Sequence, residues 1–145
     1  MSNAEEMWET AQSHRDSVLS KSVFDEARLL KFIDVRLQQL AYEIPQLQST
    51  RYPVNLAFFL CNKNKPCTHC PHPQWLRWIP NPKKWGSVIP SRVENPGRVM
   101  RDSPEAVKRF REARKLIEIR QDILTMQTNL TRKVNAQLAE RLKHE

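Results

Sequence analysis

Glycine is nearly missing from this chain: two residues in 145, at positions 86 and 97. Phosphate-cradling loops and tight strand-to-helix elbows need glycine for backbone freedom and close approach. No Walker loop, dinucleotide-binding fingerprint or Gly-x-Ser-x-Gly elbow occurs. Long apolar runs are also missing, so no segment reads as a bilayer span. The first residues carry Glu5, Glu6 and Glu9 in place of a basic stretch and an apolar core, so they do not read as a signal peptide. Cysteine is limited to Cys61, Cys67 and Cys70. An odd number so tightly grouped is no disulfide framework, and it points to a reducing, cytoplasmic setting and a metal. Acid is scarce in the middle of the chain. Residues 51–103 hold only Glu94 and Asp102, so no paired carboxylates are available there for a metal-dependent nuclease. The expectation is a protein that is not an enzyme.

Basic charge and proline are plentiful. The net charge is +8, distributed as −3 over residues 1–50, +7 over 51–103 and +4 over 104–145. A positive field concentrated on one segment is the pattern of a polyanion-binding face. Nine of the ten prolines fall from Pro45 to Pro96, a density no helix survives. The chain therefore reads in four parts: a short N-terminal helix over 1–21, a first long helix over 22–50, a basic insert over 51–103, and a long C-terminal helix over 104–145.

Asn3 and Glu6 form a capping-box pattern, followed by a thin stripe of Met7, Trp8, Ala11, Arg15 and Val18. Ser22 reads as a second cap, with Asp25 and Glu26 in the first turn. Leu30, Ile33, Leu37, Leu40, Ile44 and Leu47 then alternate three and four apart, the spacing of a helical seam. Pro45 predicts a kink or stop. In the insert, Val54–Leu60, Trp75–Ile79 and Trp85–Ile89 read as short strands. The link from Pro80 to Lys84 suits a longer loop, and Asn95-Pro96-Gly97 reads as a turn. Ser103-Pro104-Glu105 announces the last helix. Its apolar positions run from Phe110 to Leu138, interrupted by Arg120, Gln127 and Thr131. The predicted fold is α+β and mainly helical: an antiparallel helical hairpin or coiled coil carrying a zinc knuckle and a short irregular antiparallel sheet. The last helix outruns its partner, which predicts a homodimer through the long helices.

All three cysteines and two of the four histidines lie between Cys61 and His72. Structural zinc takes four thiolate or imidazole ligands in a tetrahedron. Cys67-x-x-Cys70 is a usual ligand spacing, Cys61 is close enough to return as a third ligand, and His72 or His69 completes the set. His72 is preferred because His69 lies inside the turn. A redox pair fits poorly, since the motif does not open a helix after a strand. A catalytic zinc fits poorly too: three thiolates and an imidazole fill the shell, and the nearest downstream acid is Glu94.

The stretch from Leu60 to Trp78 resembles a short knuckle of small uncharacterised bacterial and phage proteins. In these, clustered cysteines precede a His-Gly-Pro-Tyr-type aromatic strand and a long helix follows. Pro73 and Gln74 stand here where that pattern has its Gly-Pro-aromatic portion. The resemblance covers roughly residues 55–90 and implies a phage or mobile-element setting without an activity.

Around the knuckle, basic and aromatic residues interleave: Lys63, Lys65, Arg77, Lys83, Lys84, Arg92, Arg98 and Arg101, with Trp75 or Trp85 as stacking platforms. Such a mixture meets phosphates with charge and bases with rings. A strand over 75–79 puts Trp75, Arg77 and Ile79 on one face and Leu76 and Trp78 on the other. Two functions compete. One is a non-catalytic nucleic-acid-binding accessory protein, with DNA ahead of RNA. The other is a zinc-stabilised coiled-coil module that recruits or inhibits a larger host, replication or transcription protein.

Overall fold

The computed structural model describes residues 3–143, without the side chains of Asn3 and of residues 15–24. Six elements follow one another: α1 (Asn3–Gln46), β1 (Val54–Phe59), β2 (His72–Pro80), β3 (Val88–Arg92), α2 (Pro96–Val99) and α3 (Pro104–Lys143). This is the mainly helical α+β fold with a small antiparallel sheet that the pattern predicts.

The two expected N-terminal helices are one. The chain from Asn3 to Gln46 is a single 44-residue helix, because no glycine or proline interrupts it before Pro45 and Ser22 alone does not stop a helix. The expected caps at Asn3 and Ser22, and the stripe positions Arg15 and Val18, lie outside the described side chains. The chain divides into two compact units within this helix, Met1–Asp34 and Val35–Glu145. In the first unit, Met7, Trp8 and Ala11 are exposed and Ile33 is buried.

In the second unit the helical seam is buried as expected at Leu37, Leu40 and Ile44. Pro45 sits in the last turn of α1, where its missing N–H and its ring end the ladder. Gln48 then acts as a backbone surrogate. Its Nε2 donates to the carbonyls of Ile44 (3.1 Å) and Val54 (2.9 Å), and its Oε1 accepts from the Val54 N–H (2.9 Å). The helix end and the start of β1 are thereby tied.

The sheet is an antiparallel meander in the order β1-β2-β3. The third strand begins at Val88, not at Trp85. Asn81 takes the chain into a turn: its N–H donates to the Ser87 carbonyl (2.9 Å) and its side chain accepts from the Lys83 N–H (2.9 Å). Gly86 has φ +80°, a conformation that suits glycine and interrupts a strand. Register sets the two faces. Val54 and Leu56 pair with Arg77 and Trp75 and are buried. The Trp75 ring meets Phe110 of α3 edge-on, at 4.9 Å between centroids and 72°. The opposite face is exposed along β3, which alternates between outward exposed and inward half-buried residues, while Asn55, Ala57, Gln74 and Leu76 on that face are half-buried.

α2 is one short turn capped by Asn95, whose side chain accepts from the Arg98 N–H. Gly97 is tightly placed: a Cβ would stand 3.2 Å from the Phe110 ring, which would have to shift by a few tenths of an ångström to admit it. α3 starts at Pro104 as predicted. Its buried face of Ala106, Phe110 and Ala113 shares the core with Met100, Val54 and Leu56. The end of α1 and the beginning of α3 run antiparallel, joined by ion pairs. Arg36 binds Glu112 through two bonds of 2.9 and 2.8 Å, and Arg109 Nε faces Glu43 at 3.4 Å. Hydrogen bonds from Arg36 hold the Glu112 carboxyl below its ordinary value of 4.5, against partial burial. A depressed carboxyl stabilises the fold above about pH 4.5, and that contribution is lost as pH falls through the lower folded value. Both partners are partly solvated, so Arg36→Met is expected to cost about 0.5–1 kcal/mol near neutral pH. Urea melts should show that cost shrinking as pH falls below about 4.5 and through the lower folded value.

Candidate metal centre

The hairpin of β1 and β2 builds the centre. Phe59 pairs with His72 across the strands. The same register carried two residues outward puts Cys61 opposite Cys70, and the connecting loop folds Cys67 back between them. Asn62 shapes that loop by accepting from the N–H groups of Asn64 (3.0 Å) and Lys65 (3.3 Å). The Cys70 N–H returns to the Cys67 carbonyl at 3.2 Å. All four ligands come from twelve residues: Cys61, Cys67 and Cys70 from the loop between the strands and His72 from the first position of β2.

The ligand atoms of Cys61, Cys67, Cys70 and His72 all lie within 4.8 Å of one another. The Cys61 and Cys67 sulfurs stand 3.4 and 3.6 Å from that of Cys70, and His72 Nε2 is 3.2 Å from the Cys67 sulfur. A tetrahedron with zinc–sulfur bonds of about 2.3 Å has edges of about 3.8 Å. A disulfide needs about 2.05 Å. The four donors therefore form a Cys3His site that fits zinc. The donor set is that of a closed structural centre, with no position left for a substrate. The Cys61 N–H on its sulfur lowers the Cys70 thiol below the ordinary value of 9.0 against burial, while the Cys61 thiol, despite a backbone hydrogen bond with Cys67, is raised by the Cys70 and Cys67 sulfurs, so Cys70 ionises ahead of Cys61.

His69 is turned away from the sulfurs. Its Nε2 lies 3.3 Å from the Thr125 hydroxyl of α3, and its neighbour Thr68 meets Thr128 at 3.1 Å. Arg120 completes the attachment. It is 7 % exposed, and its guanidinium donates to the carbonyls of His69 (3.1 Å) and Cys70 (3.3 Å). A residue that reads in the sequence as an interruption of the helical stripe thus holds the knuckle on α3. Its spacing from Phe110 and Ala113 on the buried face is the one signal that could have found it.

The expected nucleic-acid-binding residues fall into two groups. Lys63, Lys65, Lys83, Lys84, Arg92, Arg98 and Arg101 are exposed. Arg77 faces inward, and its Nε donates to the Tyr52 carbonyl at 2.9 Å. Trp75 is likewise turned to Phe110. Trp85 is fully exposed at the tip of the β2–β3 loop. Trp78, not among the expected stacking residues, is 48 % exposed on the outward face of the sheet. Its position opposite Trp75 in strand parity was the available signal.

Comparison with family models, with curated proteins and with solved structures finds no match. No helix among the described residues is long and apolar enough to cross a membrane.

Proposed function

We propose that the chain is a non-catalytic nucleic-acid-binding accessory protein of the cytoplasm, with DNA preferred to RNA as its target. One observation carries the reading: Trp85, fully exposed, stands beside the exposed Lys83 and Lys84 on a loop closed by its own hydrogen bonds. Leaving a tryptophan of about 200 Å² in water forgoes about 5 kcal/mol of burial. A ring kept outside next to two cations suits a ligand with phosphates and flat bases. The closed metal centre would then anchor the far end of β2, the strand that leads into this loop, without chemistry of its own. The phage or mobile-element setting rests on the resemblance of the knuckle.

The test is binding at near-physiological salt, about 0.15 M, where weak attraction to any basic surface is screened. Affinity should fall steeply as salt rises, because each neutralised phosphate releases counterions. Lys83→Glu with Lys84→Glu should weaken binding at least tenfold, to order of magnitude, and flatten the salt slope by about 2. Metal content and helical signal should not change. Equal binding by the double variant would move the contact off this loop.

A second reading is favoured by α3. From Met126 onward its apolar residues Leu130, Val134, Leu138 and Leu142 are exposed, Leu130 by 63 %. An unpaired stripe on a long helix calls for a partner, either a second copy or a larger protein that this module would recruit or inhibit. The expected result of sedimentation equilibrium is a species of twice 17.1 kDa, reduced to the monomer by Leu130→Glu. A monomer in both samples would remove the dimer.

A further inference from the structure

We propose that the nucleic acid is single-stranded, and that its unpaired bases stack on Trp78 of the open sheet face and on Trp85 of the adjoining loop. This rests on the nucleic-acid reading above and adds the ligand class and the platform. The meander buries one face against α3, through Val54, Leu56 and Trp75, and exposes the other at β3 and the end of β2, where Trp78, Val88, Pro90 and Arg92 meet solvent. On that outward face Trp78 pairs with Pro90, and Arg92 stands across from Leu76 one pleat away. Trp78 and Arg92 are both exposed. Phe59, also exposed, lies on the same face at the metal end, where its ring is 5.5 Å from that of His72. No outward position of the three strands carries an acidic side chain.

The geometry of the two rings separates single strands from duplexes. Trp78 rises from a pleated surface two residues before the end of β2, about 7 Å along the strand. A base can reach such a ring only if its own π-face is free. In a duplex every face is taken by its neighbours, and a ring enters that stack only as a wedge that unstacks a step, at a cost of about a few kcal/mol. Splayed bases meet no such obstacle, and ring stacking is the sequence-tolerant contact of single-strand binders. Arg92 on the face, with Lys83 and Lys84 at the loop, provides cations on both sides of Trp78 for the backbone. The inward-turned Arg77 and Trp75 take no part. Anchorage of this face is built in as well: β2 begins at the metal ligand His72, so the centre fixes one end of the strand that carries Trp78.

The experiment uses the full zinc-loaded chain and fluorescein-labelled thymidine oligomers of about twelve nucleotides. Equal-length duplex serves as the comparison, and both are followed by anisotropy at about 0.15 M salt. The expected result is single-strand binding at least about tenfold tighter than duplex binding. Trp78→Leu and Trp85→Leu should each weaken the single strand by roughly 5- to 150-fold, the range of one stacked base. Duplex affinity should stay within about twofold, since the phosphate contacts remain. Trp85 has no packing to lose, so its variant tests the platform without a folding penalty. Equal binding of both probes, with neither tryptophan variant affecting the single strand, would overturn the proposal. Lys83→Glu with Lys84→Glu would still weaken both probes in that case and leave the general nucleic-acid reading standing. Failure of the wild type to bind either probe would overturn both.

Discussion

Cys70→Ser should release the metal and loosen the knuckle while leaving most of the helical signal. Cys70 is the hub of the centre: its sulfur contacts those of Cys61 and Cys67 and accepts the Cys61 N–H. A serine oxygen is shorter, harder and not ionised near neutral pH, so one corner of the tetrahedron is lost. Zinc binding to small structural sites is worth about 10–16 kcal/mol, and it is folding free energy, since no site waits in the unfolded chain. Competition against a chromophoric chelator should show a loss well beyond the roughly 100-fold that an outer-shell change costs. His69→Ala removes only a contact with α3 and should retain the metal within about tenfold. Amide exchange should localise the damage of Cys70→Ser to residues 61–72 and the facing ends of β1 and β2. If His69→Ala released the metal and Cys70→Ser did not, the ligand assignment would be wrong.

Phe110→Ala is expected to cost about 3–5 kcal/mol, the range for an aromatic removed from a core. Phe110 is 8 % exposed and is the residue on which the sheet rests, with Trp75 edge-on to its ring and Gly97 packed against it. A small domain has about 5–15 kcal/mol in total, so the loss is a large share. Phe59→Ala, on the open face, should stay within about 0.5 kcal/mol. Urea unfolding of the two variants compares them directly. Equal costs would mean that the two faces of the sheet are not buried as described.

What was legible in the sequence is the local chemistry. The three-and-four spacing from Ile33 to Ile44 marks a buried seam, Pro104 marks the start of α3, and Cys67-x-x-Cys70 marks the metal. These signals depend on neighbours within a turn or two. The less visible features depend on tertiary register. Cys61 meets Cys70 because Phe59 pairs with His72, and no spacing rule states that pairing. Arg120 interrupts an apolar pattern, and only the docked knuckle gives its guanidinium two carbonyls to hold. Arg77 counts as surface charge until the sheet's inward face is known. Trp85-Gly86-Ser87-Val88-Ile89 has strand composition, yet Asn81 and Gly86 place its first half in a loop. Ser22 with Asp25 and Glu26 imitates a helix start inside a helix, because cap residues cost little in an interior.

Elemental analysis of protein purified without added metal is the most direct measurement of the centre on which the knuckle and sheet depend. The expected result is one zinc per 17.1 kDa chain, retained in His69→Ala and missing in Cys70→Ser. Folded wild-type protein with no stoichiometric metal would contradict the Cys3His centre and, with it, the role of the knuckle as the anchor of the sheet.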